Sequence, residues 1–456
     1  MSRIFGTDGV RGVANVGNMT AENVLEIGRA TAMVCKSQDR YTKSSRRRIV
    51  IGKDTRASGY MLENALSAGI CSMGVDVFLL GPLPTPGIAF TTMSMRADAG
   101  LVLSASHNPF EDNGIKIFGG DGFKLPDEME DEIQELIHSG KVKEFRPTSN
   151  EVGRAKRIDD AIGRYIVFCK NTFPNEVALD GLRIVLDCAN GATYKVAPII
   201  FQELGAEVFA IHNSPDGTNI NENCGSQHTE DLVQKVKETR ADIGLAFDGD
   251  GDRLIAVDEK GEEITGDHII AIIAKHMKEQ GRLKNNRVVT TVMSNFGFGK
   301  AMQSLDIEHF QSDVGDRYVL KKMLEEDSVL GGEASGHLIC NEFHTTGDGI
   351  IAALQLLRTM QESKQSLSSL AKVMKMYPQK LVNVNVSDKP PLEEVDSIQE
   401  AIKKAEKQLG DQGRVLIRYS GTQSMCRVMV EGPTLAMTDS LTSDLVTSVK
   451  RSLSGS

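Results

Sequence analysis

Three aspartates alternate with glycines in Asp248-Gly249-Asp250-Gly251-Asp252-Arg253, between the apolar runs Ile243 to Phe247 and Leu254 to Val257. Carboxylates at alternate positions of a tight turn can converge on one hard cation, because oxygen donors suit Mg²⁺ or Ca²⁺ and glycine lets the chain turn sharply. An EF-hand loop also opens with alternating acids, but Arg253 stands at the sixth position, which that loop reserves for glycine, and the flanks read as strands. The spacing points to Mg²⁺. A second chemical feature is Leu101-Val102-Leu103-Ser104-Ala105-Ser106-His107-Asn108-Pro109, an apolar strand that runs out into two hydroxyls and an imidazole. Open α/β sheets place ligands at such strand ends. A serine there is a candidate nucleophile, and Lys116, in Asn113-Gly114-Ile115-Lys116, offers an amine for proton transfer. A Ser-His-Asp hydrolase is the competing chemistry, disfavoured because the chain lacks a Gly-x-Ser-x-Gly elbow and because such an esterase needs no metal loop.

Basic side chains recur in glycine-containing loops: Phe5 to Gly12 with Arg11, Gly52 to Arg56, Gly315-Asp316-Arg317, and Arg418-Tyr419-Ser420-Gly421-Thr422 with Arg427 beyond it. Guanidinium forks match phosphate oxygens, hydroxyls add donors and glycine lets backbone N–H groups approach, so the last loop reads as a phosphate cradle. Together these loops suit a phosphorylated, anionic substrate gripped locally by a chain whose formal charge is −10. Arg46-Arg47-Arg48, near Lys43, reads as a solvated strand edge, and without a long basic block nucleic acid is a poor partner.

These loops need elements to position them. At 456 residues the chain is long enough for three or four domains, and 40% hydrophobic with 25% charged residues is the composition of a folded protein. No apolar run approaches the roughly 18 to 20 residues that span a bilayer, so no integral membrane protein is expected. The N-terminus lacks the apolar core of a secretory signal, which leads to the expectation of a cytoplasmic protein. Seven scattered cysteines without a Cys-x-x-Cys pair fit neither a disulfide framework nor a cysteine-based zinc site, and most are expected to be buried, reduced thiols.

Three segments share one grammar, a basic residue and a β-branched strand, a polar turn, a helical stretch and a second strand. They run from Arg48 to Leu80, from Arg183 to Ile211 and from Arg287 to Phe310. Each reads as a βαβ unit of a mainly parallel sheet, which favours three duplicated α/β domains. The C-terminal stretch differs: an alternating strand at Val382 to Val386, a charged helix to Leu409 and strands at Val415 to Ile417 and Arg427 to Val430 predict a smaller α+β domain. The expected divisions are 1–150 with the serine loop, 151–258 with the metal loop, 259–375, and 376–456 with the phosphate loop.

In their order along the chain, Phe5 to Gly12, Ser104 to Pro109, Asp248 to Arg253, Gly332-Glu333-Ala334-Ser335-Gly336-His337 and Arg418 to Thr422 resemble the N-terminal motif and four signature loops of the α-D-phosphohexomutase superfamily. Met293 to Asn295, Val314 to Val319, Thr345 to Gly349 and Arg427 to Glu431 are similar to its amino-sugar phosphate branch. The resemblance implies an α/β fold of three similar mixed α/β domains plus a smaller α+β domain around a central cleft. It implies an isomerase that interconverts glucosamine 6-phosphate and glucosamine 1-phosphate through a phosphoserine and a bisphosphorylated sugar, supplying UDP-N-acetylglucosamine for the bacterial cell wall. In that reading Ser106 carries the phosphoryl group and, with Asp248, Asp250 and Asp252, holds one Mg²⁺ per chain. Arg11 and His107 assist, Lys116 is the general acid/base, and Arg253 reaches the phosphoserine or the sugar. Glu333 and Ser335 bind the sugar, while Arg418, Ser420, Gly421, Thr422 and Arg427 grip the phosphate that is not reacting. A sugar 1,6-bisphosphate would be the activator, and the resemblance leaves room for a homodimer. The alternatives are a phosphoglucomutase/phosphomannomutase of the same superfamily or a catalytically silent sugar-phosphate sensor, the latter disfavoured by the intact serine, aspartates and arginines. The chain departs from the branch pattern at Ala334, where glutamine is usual, and at Tyr419 and Gln423 in the phosphate loop.

Overall fold

The computed structural model of the chain describes residues 3–6, 8–37, 46–420 and 424–453. Three of its sheets repeat one plan. In the first, strands Asp76–Pro82, Arg48–Lys53 and Ala99–Leu103 lie side by side and parallel, and Asp112–Gly119 closes the row antiparallel to the third. In the second, Glu207–Ile211, Arg183–Asp187 and Ile243–Phe247 are followed by antiparallel Leu254–Asp258. In the third, Glu308–Ser312, Arg287–Thr291 and Leu330–Gly332 are followed by antiparallel Leu338–Cys340. The parallel pairs join through helices, including Ser58–Ser72 and Val196–Glu203, as the strand, helix and strand spacing requires. Ala99–Leu103 and Ile243–Phe247 are buried along their whole length, the burial expected of strands covered on both faces.

The plan has a consequence for function. Each chemically marked loop of these sheets is the turn between the third parallel strand and its antiparallel partner: Ser104 to Glu111, Asp248 to Arg253, and Glu333 to His337. Two strands extend the first sheet, Val10–Val13 antiparallel to Asp112–Gly119, and Ala155–Arg157 parallel to Asp76–Pro82. The first of these brings the Arg11 loop beside Gly114 and Ile115.

The chain divides into two compact units, residues 1–293 with 308–372, and residues 294–307 with 373–456. The second unit holds a three-stranded antiparallel sheet of Gln379–Asn385, Met425–Glu431 and Arg414–Tyr419, backed by helices Asp396–Leu409 and Leu435–Leu453. It also takes in helix Phe296–Ser304, which the strand spacing assigns to the third βαβ unit. Hydrogen bonding explains this. The Asn295 side chain exchanges bonds with the Tyr377 backbone at 3.0 Å each way, and the fully buried Glu431 carboxylate accepts from Phe296 N at 3.0 Å and from Arg414.

No helix among the described residues is long and apolar enough to cross a membrane. All seven cysteines are free thiols, and all but Cys71 are buried. Arg46 and Arg47 are spent on Asp76 and Asp98, in keeping with a strand edge.

Helices Ala21–Ser37 and Ser58–Ser72 pack backbone to backbone through Gly28 and Gly69: a Cβ on Gly69 would stand 2.2 Å from Leu25 O, and one on Gly28 2.8 Å from Leu66 O. In an exposed helix Gly→Ala is worth about 1 kcal/mol of stabilisation. Here Gly69→Ala is expected to destabilise by roughly 1 to 3 kcal/mol, because the obstructing atoms are backbone. Urea denaturation reads the sign, and a stabilised variant would show that the helix pair can part without cost.

Candidate active site

Ser106 is buried, at 1% exposure, and sits in the left-handed backbone region at φ 53°. That conformation costs roughly 1 to 3 kcal/mol for a residue other than glycine, so its surroundings must hold it there. Arg56 does so. Its guanidinium, 0% exposed, pairs with Asp54 at 2.8 Å and donates to the carbonyls of Ser106 (3.0 Å), Asn108 (2.8 Å), Asp112 (3.1 Å) and Pro109. Asp54 in turn accepts from Ser104 Oγ at 2.6 Å, and that oxygen accepts from Ser106 N at 2.9 Å. Asn221, from the second sheet's loops, donates to the Ser106 and Asn108 carbonyls at 2.9 and 3.0 Å.

The serine loop rests directly on the metal loop. A Cβ on Gly249 would lie 2.6 Å from Ser106 O, so only glycine permits this approach. Ser106 Oγ donates to Asp248 Oδ2 at 2.6 Å, and His107 Nδ1 lies 3.3 Å from Ser106 Oγ. Asp248, Asp250 and Asp252 each offer a carboxylate oxygen within 4.8 Å of the others, and all three are buried. Burial, then the Asp252 and Asp250 charges, push the Asp248 carboxyl well above the ordinary carboxylate range. Thr85 donates to Asp250 Oδ2 at 2.7 Å, and Lys116 Nζ lies 2.9 Å from Asp250, 3.2 Å from Asp252 and 3.4 Å from Asp8. Burial opposes the Lys116 charge, but Asp250, Asp252 and Asp8 outweigh it and raise its pKa well above the usual lysine value. His107 is pushed the other way, to about 4, by burial and by Arg253 and Arg11, so its ring is neutral at neutral pH.

Donors and acceptors left over in this pocket define what it can hold. Asp250 Oδ1 and Asp252 Oδ1 are buried without a hydrogen-bond partner, as are Nε of Arg11 and of Arg253. Two orphaned carboxylate oxygens beside a third carboxylate are an all-oxygen donor set that fits a hard divalent cation, and two orphaned guanidinium N–H groups fit an anion. Glu333 is half-buried, with Oε1 accepting from Gly315 N at 2.8 Å and Oε2 from Ser335 Oγ at 3.3 Å, while Ser335 is exposed. The Glu333 loop packs on the aspartate hairpin through Leu254 N to Gly336 O at 2.9 Å.

Ser106, His107, Lys116, Arg11, the three aspartates and Arg253 thus come together, and Glu333 and Ser335 belong to the loop packed beside them. Arg418 and Arg427 lie in the second unit as directly opposed residues of adjacent antiparallel strands. Like charges so placed repel. Ser420 N donates to Met425 O at 2.8 Å, and Tyr419 spends its hydroxyl on Pro390 O at 2.7 Å. Gly421 and Thr422 lie outside the described residues.

Three cations expected to grip substrate are instead committed to the protein. Arg56 is the buried staple described above, Lys53 pairs with Glu63 at 2.5 Å in the core, and Arg317 pairs with Glu130 at 2.7 Å and with Asp127. Sequence reasoning also missed several residues of the site. Asp8 pairs with Arg11, Lys116 and Lys124, and Lys124 also pairs with Asp316. His337 lies 3.6 Å from both Asp252 and Asp316, whose charges raise its pKa against the opposing effect of burial. Asp8 and His337 fall inside recognised motifs, whereas Lys124 and Asn221 carry no local signal.

Comparison with known proteins identifies the family. Four family models match the chain in order: phosphoglucomutase/phosphomannomutase alpha/beta/alpha domain I at residues 2–144, domain II at 164–261, domain III at 265–377 and the C-terminal domain at 381–448. A phosphoglucosamine mutase of Syntrophus aciditrophicus is 58% identical over 434 residues, covering 95% of this chain and 96% of that one. One from Geotalea uraniireducens is 55% identical over 456 residues, covering 100% and 99%. Among solved structures, a phosphoglucomutase/phosphomannomutase family protein of Burkholderia thailandensis shares the fold at a TM-score of 0.82, with 23% identity over 99% of this chain and 97% of that one. The Aspergillus fumigatus N-acetylphosphoglucosamine mutase, solved with GlcNAc-6P and magnesium, does so at 0.66 with 16% identity over 98% and 95%.

The Arg56 staple yields a test. Arg56→Lys keeps the charge but cannot reach all five acceptors, and each charge-assisted hydrogen bond it gives up costs roughly 1.5 to 3 kcal/mol. The expected variant is destabilised, and in steady-state kinetics it loses about a hundredfold in kcat, the scale of a misplacement near 1 Å, with KM little changed. A kcat at the parent value would show that Ser106 holds its place without the fork.

Proposed function

The chain belongs to the phosphoglucosamine mutases of the phosphoglucomutase/phosphomannomutase family and is an isomerase, and from that premise we propose that it interconverts glucosamine 6-phosphate and glucosamine 1-phosphate by way of a phosphoserine at Ser106 and a bisphosphorylated sugar. The observation that carries the proposal is the Ser106 hydroxyl set 2.6 Å from Asp248, facing buried carboxylates that need a cation and guanidinium groups that need an anion. One Mg²⁺ per chain, held by Asp248, Asp250, Asp252 and an oxygen of the phosphorylated Ser106, supplies neutralisation of charge on the phosphoryl group.

The remaining work falls to the protein's own side chains. Transfer breaks the P–O bond to Ser106 Oγ and forms one to the free hydroxyl of the sugar phosphate, which gives up a proton. The other phosphate then returns to Ser106 by the reverse step. Lys116 carries its proton in this arrangement, which suits it as the acid that reprotonates Ser106 Oγ, while the neutral ring of His107 beside that oxygen can accept one. Arg11 and Arg253 offer their unused N–H groups to the phosphoryl oxygens. Glu333 and Ser335 take the sugar hydroxyls, and Arg418 and Arg427, with Ser420, Gly421 and Thr422, hold the phosphate that is not reacting. A sugar 1,6-bisphosphate restores the phosphoserine when it is lost. The reaction supplies UDP-N-acetylglucosamine synthesis, and the working location is the cytoplasm.

Ser106→Ala is expected to abolish turnover, and intact-mass analysis of the active parent should show a phosphoryl group on Ser106 that Ser104→Ala retains. Full activity in Ser106→Ala would end the carrier role.

Substrate choice is the second test. Ala334 brings no side-chain amide to the sugar loop, so Glu333 and Ser335 are left to read the 2-position, and preference rather than strict exclusion is expected. The kcat/KM for glucosamine 1-phosphate should exceed that for glucose 1-phosphate and mannose 1-phosphate on the phosphorylated enzyme. If a neutral sugar wins, the phosphoglucomutase/phosphomannomutase activity replaces this assignment.

A further inference from the structure

A second cluster of metal-ligating side chains lies at the ends of the second sheet, apart from the Asp248, Asp250 and Asp252 loop. Asp187 ends strand Arg183–Asp187, His212 directly follows strand Glu207–Ile211, and Cys224 lies on the loop leading to helix Glu230–Thr239. One ligand atom from each lies within 4.8 Å of the others. Asp187 and Cys224 are buried, and His212 keeps about a quarter of its side chain open to solvent, so an ion has a route in.

The polar partners are arranged from outside. The Asp187 carboxylate is fixed by two backbone donors, Ala189 N at 2.8 Å and Gly225 N at 2.9 Å. The His212 backbone is left-handed at φ 45°. Its Nε2 lies 3.2 Å from Asp231 Oδ2, whereas its buried Nδ1, 3.1 Å from Asp187 Oδ2, makes no hydrogen bond. A carboxylate on one ring nitrogen fixes the proton there and turns the other lone pair inward, the usual support of a metal-binding histidine. A carboxylate 3.1 Å from Nδ1 calls for positive charge between them, which a ring proton or a metal ion supplies.

We propose that Asp187, His212 and Cys224 form a binding site for a zinc-class divalent ion, with Asp231 as the outer carboxylate that orients His212. The mixed oxygen, nitrogen and sulfur donors suit Zn²⁺, where the all-oxygen aspartate loop suits Mg²⁺. Burial, then Asp187, Asp231 and Glu222, push the Cys224 thiol up to about 12 and so work against the thiolate; the thiol is protonated before binding, and the metal–sulfur bond forms as the S–H proton leaves to solvent. The site has a structural use. His212 and Cys224 flank Asn221, whose amide clamps the Ser106 and Asn108 carbonyls, so the ion pins the outer support of the serine loop.

Chelator-stripped protein, returned to excess Mg²⁺ to fill the aspartate loop, is titrated with Co²⁺ as a spectroscopic probe. The expected result is a thiolate-to-cobalt charge-transfer band that saturates at one equivalent, is displaced by Zn²⁺, survives in Asp250→Ala and disappears in Cys224→Ser. Asp231→Asn should keep the band but weaken Co²⁺ affinity by about 10- to 100-fold. Zn²⁺ should raise the Tm of the parent and not that of Cys224→Ser. Circular dichroism confirms that each variant is folded. Absence of the band in the parent, or its persistence in folded Cys224→Ser, overturns the proposal and leaves His212 as an imidazolium bridging Asp187 and Asp231.

Discussion

The site depends on one electrostatic constraint, the gathering of Asp8, Asp248, Asp250 and Asp252 in one pocket, the last three of them buried. Buried carboxylates this close repel, and each needs a cation or a hydrogen-bond donor to stay ionised. Lys116 answers part of that charge by touching Asp8, Asp250 and Asp252 at once. Lys124 and Arg11 answer Asp8, and Thr85 answers Asp250. What remains is an excess of orphaned oxygen around Asp250 and Asp252, the electrostatic demand that a divalent ion meets.

Repeating one sheet plan three times gives the site its geometry. The third parallel strand of each sheet turns back into an antiparallel neighbour, so each repeat presents a tight turn at the same edge. In the first repeat that turn carries the serine, in the second the aspartates and in the third Glu333. Gly249 under Ser106 O and Gly336 O on Leu254 N are two of the points where the turns touch. The C-terminal domain reuses only the hairpin, with Arg418 and Arg427 opposed across it.

Chemistry and positioning divide between different residues. In the proposed reaction Ser106 and the aspartates hold the reacting groups, while Arg56 and Asn221 hold the strained serine from behind through its carbonyl. Arg56 is costly to bury unless all its N–H groups find acceptors, and five acceptors surround it, which makes it both a staple and a single point of failure.

The sequence by itself determined the local features: alternating carboxylates, strand-terminal hydroxyls, arginine-bearing loops, and strand, helix and strand periods whose bounds agree with the observed elements to within a few residues. These are legible because they depend on neighbours in the chain. It also placed Ser106 and the three aspartates on named loops, and the ordered set of motifs carried the family resemblance. Tertiary structure alone decided which basic side chains face a ligand. Arg56 and Arg11 are both arginines in glycine-containing loops, yet one is fully buried against backbone carbonyls and the other keeps an unused N–H in the site. It alone drew helix Phe296–Ser304 into the second unit, because the partners of Asn295 and Phe296 are Tyr377 and Glu431, distant in sequence. It alone brought Asp187, His212 and Cys224 within reach of one another, since long-range contacts are fixed by how sheets and loops pack and leave no periodic trace in the order of residues.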